Sequence, residues 1–214
     1  MDQWKQPRSA WRGPALVGLS GLVLVGLSVA FVDQPVSTFS HDVLHRPAWA
    51  PPITKLAWWP FWVGASFLAL LAVGVYYAMH KRLSEAARIA AAAAFATLLA
   101  TLAVVLLKYA FGRLWPETWL HPPNPSWINT HQYGFRPFAG SQAYESFPSG
   151  HTTRVTAPFA VLWRKVPRFR VLWVLPTLLI MVGLVASDFH FLGDCIAGAY
   201  VGIGSAALVL ALMG

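Results

Sequence analysis

Two short stretches hold residues that apolar packing does not call for. In "ESFPSGHTTR", Glu145 to Arg154, a proline, a serine, a glycine, a histidine and an arginine fall together. Pro148 and Gly150 punctuate a loop, and Ser149 is placed to cap the helix that follows. The free N–H groups and dipole of such a helix start favour a bound anion. Gly150 lets the backbone come close to it, and His151 stands one residue on as an acid/base group. In "SDFHFLGDCIAG", His190 and Asp194 are four residues apart. They are neighbours if the stretch is helical, and still close if Gly193 breaks the turn. A carboxylate accepting from one ring nitrogen fixes the tautomer and raises the basicity of the other, so His190 is a candidate nucleophile. Lys108 and Arg113 bring positive charge suited to a phosphate dianion. Neither the helix-borne H-E-x-x-H of zinc enzymes nor more than one cysteine is present, so no metal or other cofactor is expected.

The elements that carry these residues are apolar. The chain has 214 residues, 57% hydrophobic and 11% charged, with 11 Trp. That is more apolar surface than one core hides and too little charge to coat a soluble globule, so the solvent is expected to be a bilayer. The net charge of +8 is scattered between apolar runs, without the single patch that nucleic acid requires. No nucleic-acid partner is expected. Cys195 lies in an apolar run and reads as packing.

Six runs approach the roughly 20 residues needed to cross a bilayer. They are Pro14 to Val32, Trp58 to Met79, about Ala86 to Phe111, His151 to Trp163, about Val171 to Phe189, and Cys195 to Met213. The third contains five consecutive alanines, Ala90 to Ala94, which let a neighbouring helix approach. The fold expected is all-α: a polytopic membrane protein of six transmembrane helices in one domain over 1–214. No internal repeat, low-complexity linker or second domain is apparent. Ten of the sixteen basic residues (Lys5, Arg8, Arg12, Lys81, Arg82, Arg88, Arg164, Lys165, Arg168, Arg170) flank connections that fall on one side. The positive-inside rule makes that side cytoplasmic, N-terminus included, in a cell or inner membrane. Basic residues, an apolar stretch and Ser28-Val29-Ala30 also fit a cleavable signal. The start at Met1 favours an uncleaved span.

On this topology Lys108, Arg113, His151, Arg154, Asp188, His190 and Asp194 converge on the outer face. Charge at span ends is costly and marks function. The connection from Gly112 to Gly150 holds Pro116, Pro122, Pro123, Pro125 and Pro137 among Trp115, Trp119, Trp127, Tyr133, Phe135, Phe138 and Tyr144. Prolines forbid a long regular element and the aromatics argue against disorder, which predicts an ordered interfacial cap. His121, His131, His41, His45 and His80 read as surface histidines.

The three motifs together resemble the type-2 phosphatidic acid phosphatase superfamily of integral-membrane lipid phosphatases. Its pattern runs K-x6-R-P, P-S-G-H, then S-R-x5-H-x3-D. Here "KYAFGRLWP" spans Lys108 to Pro116, "PSGH" spans Pro148 to His151, and "HFLGD" spans His190 to Asp194. Two family arginines are missing: Trp115 stands before Pro116, and Gly183-Leu184 stands where Ser-Arg is expected. Arg113, Arg154 (on the same helical face as His151) and Arg136 in "GFRPF" are candidates to restore that charge.

The resemblance implies a metal-free reaction on a lipid phosphate. His190, oriented by Asp194, attacks phosphorus; His151 protonates the leaving oxygen and then activates water. Lys108, Arg113, Ser149 and Gly150 hold the phosphate oxygens. A polyprenyl diphosphate, phosphatidate or phosphatidylglycerol phosphate, and lipid A phosphates are all candidate substrates. A lipid phosphotransferase using the same intermediate, and a non-hydrolytic binding or transport protein, stay open as alternatives. A vanadate haloperoxidase of the same broad superfamily is disfavoured by the six spans. The partners expected are the lipid substrate and the surrounding membrane lipids, and no oligomeric state is implied.

Overall fold

A computed structural model describes residues 12–117 and 125–213. Lys5, Arg8, Trp119, His121, Pro122 and Pro123, singled out above, lie outside the described residues. The first helix, α1 (Arg12–Leu27), continues through a widened π-type turn, Ser28–Val32, into α2 (Asp33–Phe39) and a second such turn, Ser40–Leu44. After α3 (Ala50–Lys55) come α4 (Trp59–His80), α5 (Glu85–Phe111), the single turn α6 (Trp127–Thr130), α7 (Gly150–Lys165), α8 (Arg170–Ala186) and α9 (Leu192–Leu212).

Local chemistry sets these boundaries. Pro60 opens α4 in the first turn, where its missing N–H costs nothing. Ser84 caps α5, accepting from the Ala87 amide at 3.2 Å. Ser149 caps α7, its carbonyl accepting from Thr153 at 3.0 Å.

The fold is all-α, and among the described residues five helical segments are long and apolar enough to cross a membrane. They are Ala15–Leu44, Ala50–His80, Glu85–Phe111, Pro167–Ala186 and Leu192–Leu212. Of the six transmembrane helices expected from the sequence, the fourth from a short run, five are found as long apolar helices among the described residues and the fourth is different in kind. The exception is α7, whose 16 residues reach roughly 24 Å at 1.5 Å per residue, against about 30 Å of hydrocarbon. It also buries Thr152, Thr153 and Thr156, and it packs against α5, α8 and α9. A central helix surrounded by others has no need of a lipid-facing surface. By contrast the outer helices expose large apolar side chains, such as Leu22 at 75%, Leu68 at 68% and Val171 at 76%.

Small side chains bring α5, α7 and α9 together. Ala92, Ala96 and Ala100 meet Ala157, Val161, Ala206 and Val209 in one buried cluster, with Ala91 and Ala94 of the alanine run also buried. A second cluster gathers Ala57, Val155, Ile180, Leu184 and Cys195. Cys195 is thus a packing residue, as its apolar surroundings predicted.

The connection from Gly112 to Ser149 returns over the end of the bundle where α5 and α8 finish and α7 and α9 begin. Arg113 lies between two passes of this connection. Its N–H donates to the Tyr144 carbonyl at 2.7 Å, and its carbonyl accepts from Ser146 at 3.0 Å. The Arg136 N–H donates to the Gly112 carbonyl at 2.6 Å. Rings fill the space beneath, with Phe111, Phe135 and Phe147 in mutual edge-to-face contact.

Candidate active site

The end of α5, the start of α7, the α8–α9 connection and the start of α9 place their polar residues together. The Ser149 N–H donates to the Asp194 carbonyl at 2.9 Å, which ties the cap of α7 to the first turn of α9. The rings of His151 and His190 are 5.9 Å apart, centroid to centroid. Phe189 touches both in edge-to-face geometry.

Helix α9 starts at Leu192, so His190 precedes the helix and Asp194 lies in its first turn. Of the two sequence alternatives, the broken turn is the one found. Asp194 Oδ2 accepts from the Phe191 N–H at 3.2 Å and from Ser146 Oγ at 2.5 Å. It faces His190 Nδ1 at 3.5 Å. Ser146 Oγ is also 3.4 Å from that nitrogen. His190 is 1% exposed, and its Nε2 is buried with no hydrogen-bond partner. Burial pushes the His190 pKa below its ordinary value although Asp194 opposes the shift. The imidazole is thereby held neutral, with Nε2 available as a nucleophile.

Trp115 covers the other side. Its ring is 4.8 Å from that of His190 and 5.1 Å from Phe189, and its Nε1 donates to the Gln142 carbonyl at 2.8 Å. The Lys108 ammonium sits 5.0 Å from the Trp115 ring centre and donates to the Glu145 carbonyl. The indole at the expected arginine position thus packs between His190 and a cation. The other expected arginine position is Leu184, which is fully buried in the second apolar cluster.

Arg154 and Gly150 meet directly. A side-chain carbon on Gly150 would fall 2.8 Å from an Arg154 terminal nitrogen, so the glycine admits the guanidinium to the first turn of α7. Arg154 Nε is buried with no hydrogen-bond partner. Its positive charge acts on both Lys108 and His151.

Arg113 has a different environment. It is 1% exposed, with one terminal nitrogen 2.6 Å from Asp194 Oδ1 and the other 2.8 Å from Asp33 Oδ2. The rings of Tyr133, Phe135 and Phe191 lie 4.8, 5.3 and 4.2 Å from the guanidinium. Burial works against its charge, but Asp194 and Asp33 outweigh burial and raise its pKa. Arg136 stands apart on the exposed surface, donating to the Tyr144 hydroxyl at 2.9 Å and to the Gln132 side chain at 2.7 Å.

The sequence reading missed Asp33, Ser146 and Tyr133. Asp33 is fully buried, yet it sits just past the point where the first apolar run was taken to end. An acid in a continuing helix was the available signal. Ser146 lies three residues before Ser149 in the quoted motif, and nothing in its type distinguishes it there.

Of the histidines read as surface groups, His45, His80 and His131 are exposed. His41 is half-buried, with Nδ1 3.5 Å from both Glu117 Oε2 and Asp188 Oδ2. These three ligand-type atoms lie within 4.8 Å of one another. The charge of Arg46 acts on both carboxylates, which makes the cluster an ion network. Asp188 also accepts from Ser37 Oγ at 2.7 Å. Burial raises the Asp188 carboxyl to about 6.

Comparison with known proteins places the chain in a family. The profile of the PAP2 superfamily matches residues 89–214. A lipid A 1-phosphatase of Rhizobium johnstonii and another of Rhizobium etli are each 38% identical to the chain over 100 residues, 45% of its length. The matched segment spans only 36% and 38% of those two relatives. No solved structure matches the chain significantly. With the profile covering more than half its residues, the chain belongs to the PAP2 superfamily of membrane phosphatases.

Proposed function

We propose that this protein hydrolyses a lipid phosphate through a phosphohistidine at His190, with a lipid A 1-phosphate-like substrate as the leading candidate. The observation that carries the reading is the environment of His190: Nδ1 turned to Asp194, Nε2 buried and unpartnered, and the ring 5.9 Å from that of His151. A structural histidine has no reason to leave a buried ring nitrogen unsatisfied.

In the reaction the Nε2 lone pair attacks phosphorus. The bond from phosphorus to the lipid oxygen breaks, and His151 supplies the proton to that oxygen. His151 then takes a proton from water, whose oxygen attacks phosphorus and releases phosphate from His190. Lys108, Arg154, Ser149 and the Gly150 amide hold the non-bridging oxygens as charge develops. Arg113 contributes through Asp194, to which it is already bound. Arg136 takes part only where its loop bends toward a bound headgroup. The family's metal-independent chemistry requires no further group.

The topology proposed is a multi-pass inner-membrane protein, N-terminus cytoplasmic, with the site on the outer face. Six crossings, with α7 as the central short one, put the basic connections after α4 and α7 inside and the aromatic cap outside. The relatives' names favour lipid A over the polyprenyl and glycerophospholipid candidates. The test is phosphate release by the purified protein in detergent with EDTA, from lipid A, undecaprenyl diphosphate, phosphatidate and phosphatidylglycerol phosphate. Release from lipid A that survives EDTA supports the proposal. Phosphate appearing only on an added lipid acceptor would make the protein a phosphotransferase. Binding without turnover would leave the non-hydrolytic alternative.

A further inference from the structure

The nucleophile's carboxylate is itself held by a charge bridge that begins at Asp33, 160 residues upstream of Gly193. Asp33 lies on α2, before the residues that the superfamily profile matches. It is fully buried and accepts hydrogen bonds from Arg113 at 2.8 Å, from Ser28 Oγ at 2.7 Å and from the Gly193 N–H at 2.7 Å. The Tyr133 hydroxyl lies 3.2 Å away and makes its shorter bond, 2.7 Å, to the Val29 carbonyl. Gly193 is the residue between Leu192 and Asp194, and a side-chain carbon there would fall 2.8 Å from Asp33 Oδ2. The glycine of "HFLGD" is therefore where an acid from the first membrane helix reaches the catalytic turn.

We propose that Asp33 is a positioning residue for the His190 reaction: it holds Arg113 so that the guanidinium takes one oxygen of Asp194 and leaves the other to His190. The inference rests on His190 being the nucleophile.

Charge counting supports it. Asp33, Arg113 and Asp194 together carry one net negative charge. When Nε2 bonds to phosphorus, the ring becomes cationic and its Nδ1–H faces Asp194. The triad's residual negative charge offsets that cation in a dry interior, where such interactions are strong. Without Asp33, Arg113 and Asp194 form a neutral pair. A guanidinium prefers both oxygens of a carboxylate, so it would draw Oδ2 away from His190. Ser28 Oγ, earlier on the same helical segment, and the Gly193 N–H hold Asp33 in place for this contact.

The groups facing His190 are Asp194 from α9, Lys108 from α5, His151 from α7, and Ser146 and Trp115 from the connection. Asp33 touches none of the reacting atoms. Its effect must travel through Arg113 and Asp194.

The experiment compares the parent with Asp33→Asn and with Asp33→Asn/Arg113→Gln, each as detergent-purified full chain. The readouts are kcat, KM and the titration of His190 followed by 15N-histidine NMR. Asp33→Asn is expected to lower kcat roughly 10- to 100-fold with KM within about twofold. It should also move the His190 titration about one pH unit lower. The double variant restores the single net negative charge, so its titration should return toward the parent's. Should these variants fold poorly, Ser28→Ala removes one hydrogen bond to Asp33 and keeps its charge. It is expected to give a smaller kcat loss of about two- to fivefold with KM unchanged. An unchanged His190 titration in folded Asp33→Asn overturns the inference, as does activity that falls only in step with the folded fraction. A parent that releases no phosphate from any lipid defeats the phosphatase reading separately, because the titration is read without turnover.

Discussion

The site has two halves that treat charge in opposite ways. In the inner half every charge is already matched within the protein: Arg113 lies between Asp33 and Asp194, and Asp194 also accepts from Ser146 and the Phe191 amide. In the outer half Lys108 donates to a backbone carbonyl and rests near an indole. Arg154 lies over the first turn of α7 with its Nε unpartnered. An arginine with two carboxylates has little positive field left for a ligand. A cation whose contacts are carbonyls, rings and a glycine keeps that field. On the proposed mechanism, this difference gives the inner half the task of orienting His190 and the outer half that of receiving the anion.

Breaking the inner half should cost the most. Arg113→Ala leaves two buried carboxylates facing each other, and loss of one partner from a buried ion pair costs about 3–5 kcal/mol. Thermal unfolding in detergent should show a large drop in midpoint together with loss of turnover. If Arg113 serves only to bind phosphate, the midpoint instead holds and KM alone rises.

The outer half should behave in the reverse way. Removing charge with Arg154→Gln takes away a charged hydrogen bond worth about 1.5–3 kcal/mol. We expect KM for the lipid phosphate to rise roughly 10- to 100-fold, with the unfolding midpoint within a degree or two of the parent. Equal loss of stability and binding would erase the distinction between the halves.

A smaller effect follows from the buried neutral His190. Its folded pKa is depressed, so below the ordinary histidine value of about 6.5 the unfolded chain takes up a proton that the folded one refuses. The stability from this group is complete above that pH and is lost as pH falls below it. His190→Asn should therefore lose less thermal stability than the parent between pH 7 and pH 5. The smallest effect belongs to Arg136→Ala. This exposed side chain contacts Tyr144 and Gln132, and its removal should shift stability by no more than about 0.5 kcal/mol, with KM little changed.

Much of this arrangement was legible in the sequence because it is local. Ser149 caps α7, Asp194 follows His190 at a fixed short interval, and apolar runs of bilayer length mark most of the helices. What was hidden depends on contacts between distant segments. Asp33 read as the end of a span because an acid in lipid is costly, and the guanidinium of Arg113, the Ser28 hydroxyl and the Gly193 amide offset that cost. Trp115 and Leu184 read as gaps in a phosphate site. The structure puts one over His190 and the other in the apolar core, so neither place is open to a second cation. The fourth run looked too short for a span because its length was judged against lipid. Its neighbours are other helices, which accept buried threonines that lipid does not.

The central claim is that His190 carries the phosphoryl group. Incubating the protein with a 32P-labelled lipid phosphate, quenching in alkali and mapping the label by mass spectrometry addresses it directly. The account predicts an alkali-stable, acid-labile phosphate on His190 that is absent from His190→Ala. Label on another residue, or turnover that persists in His190→Ala, would contradict it.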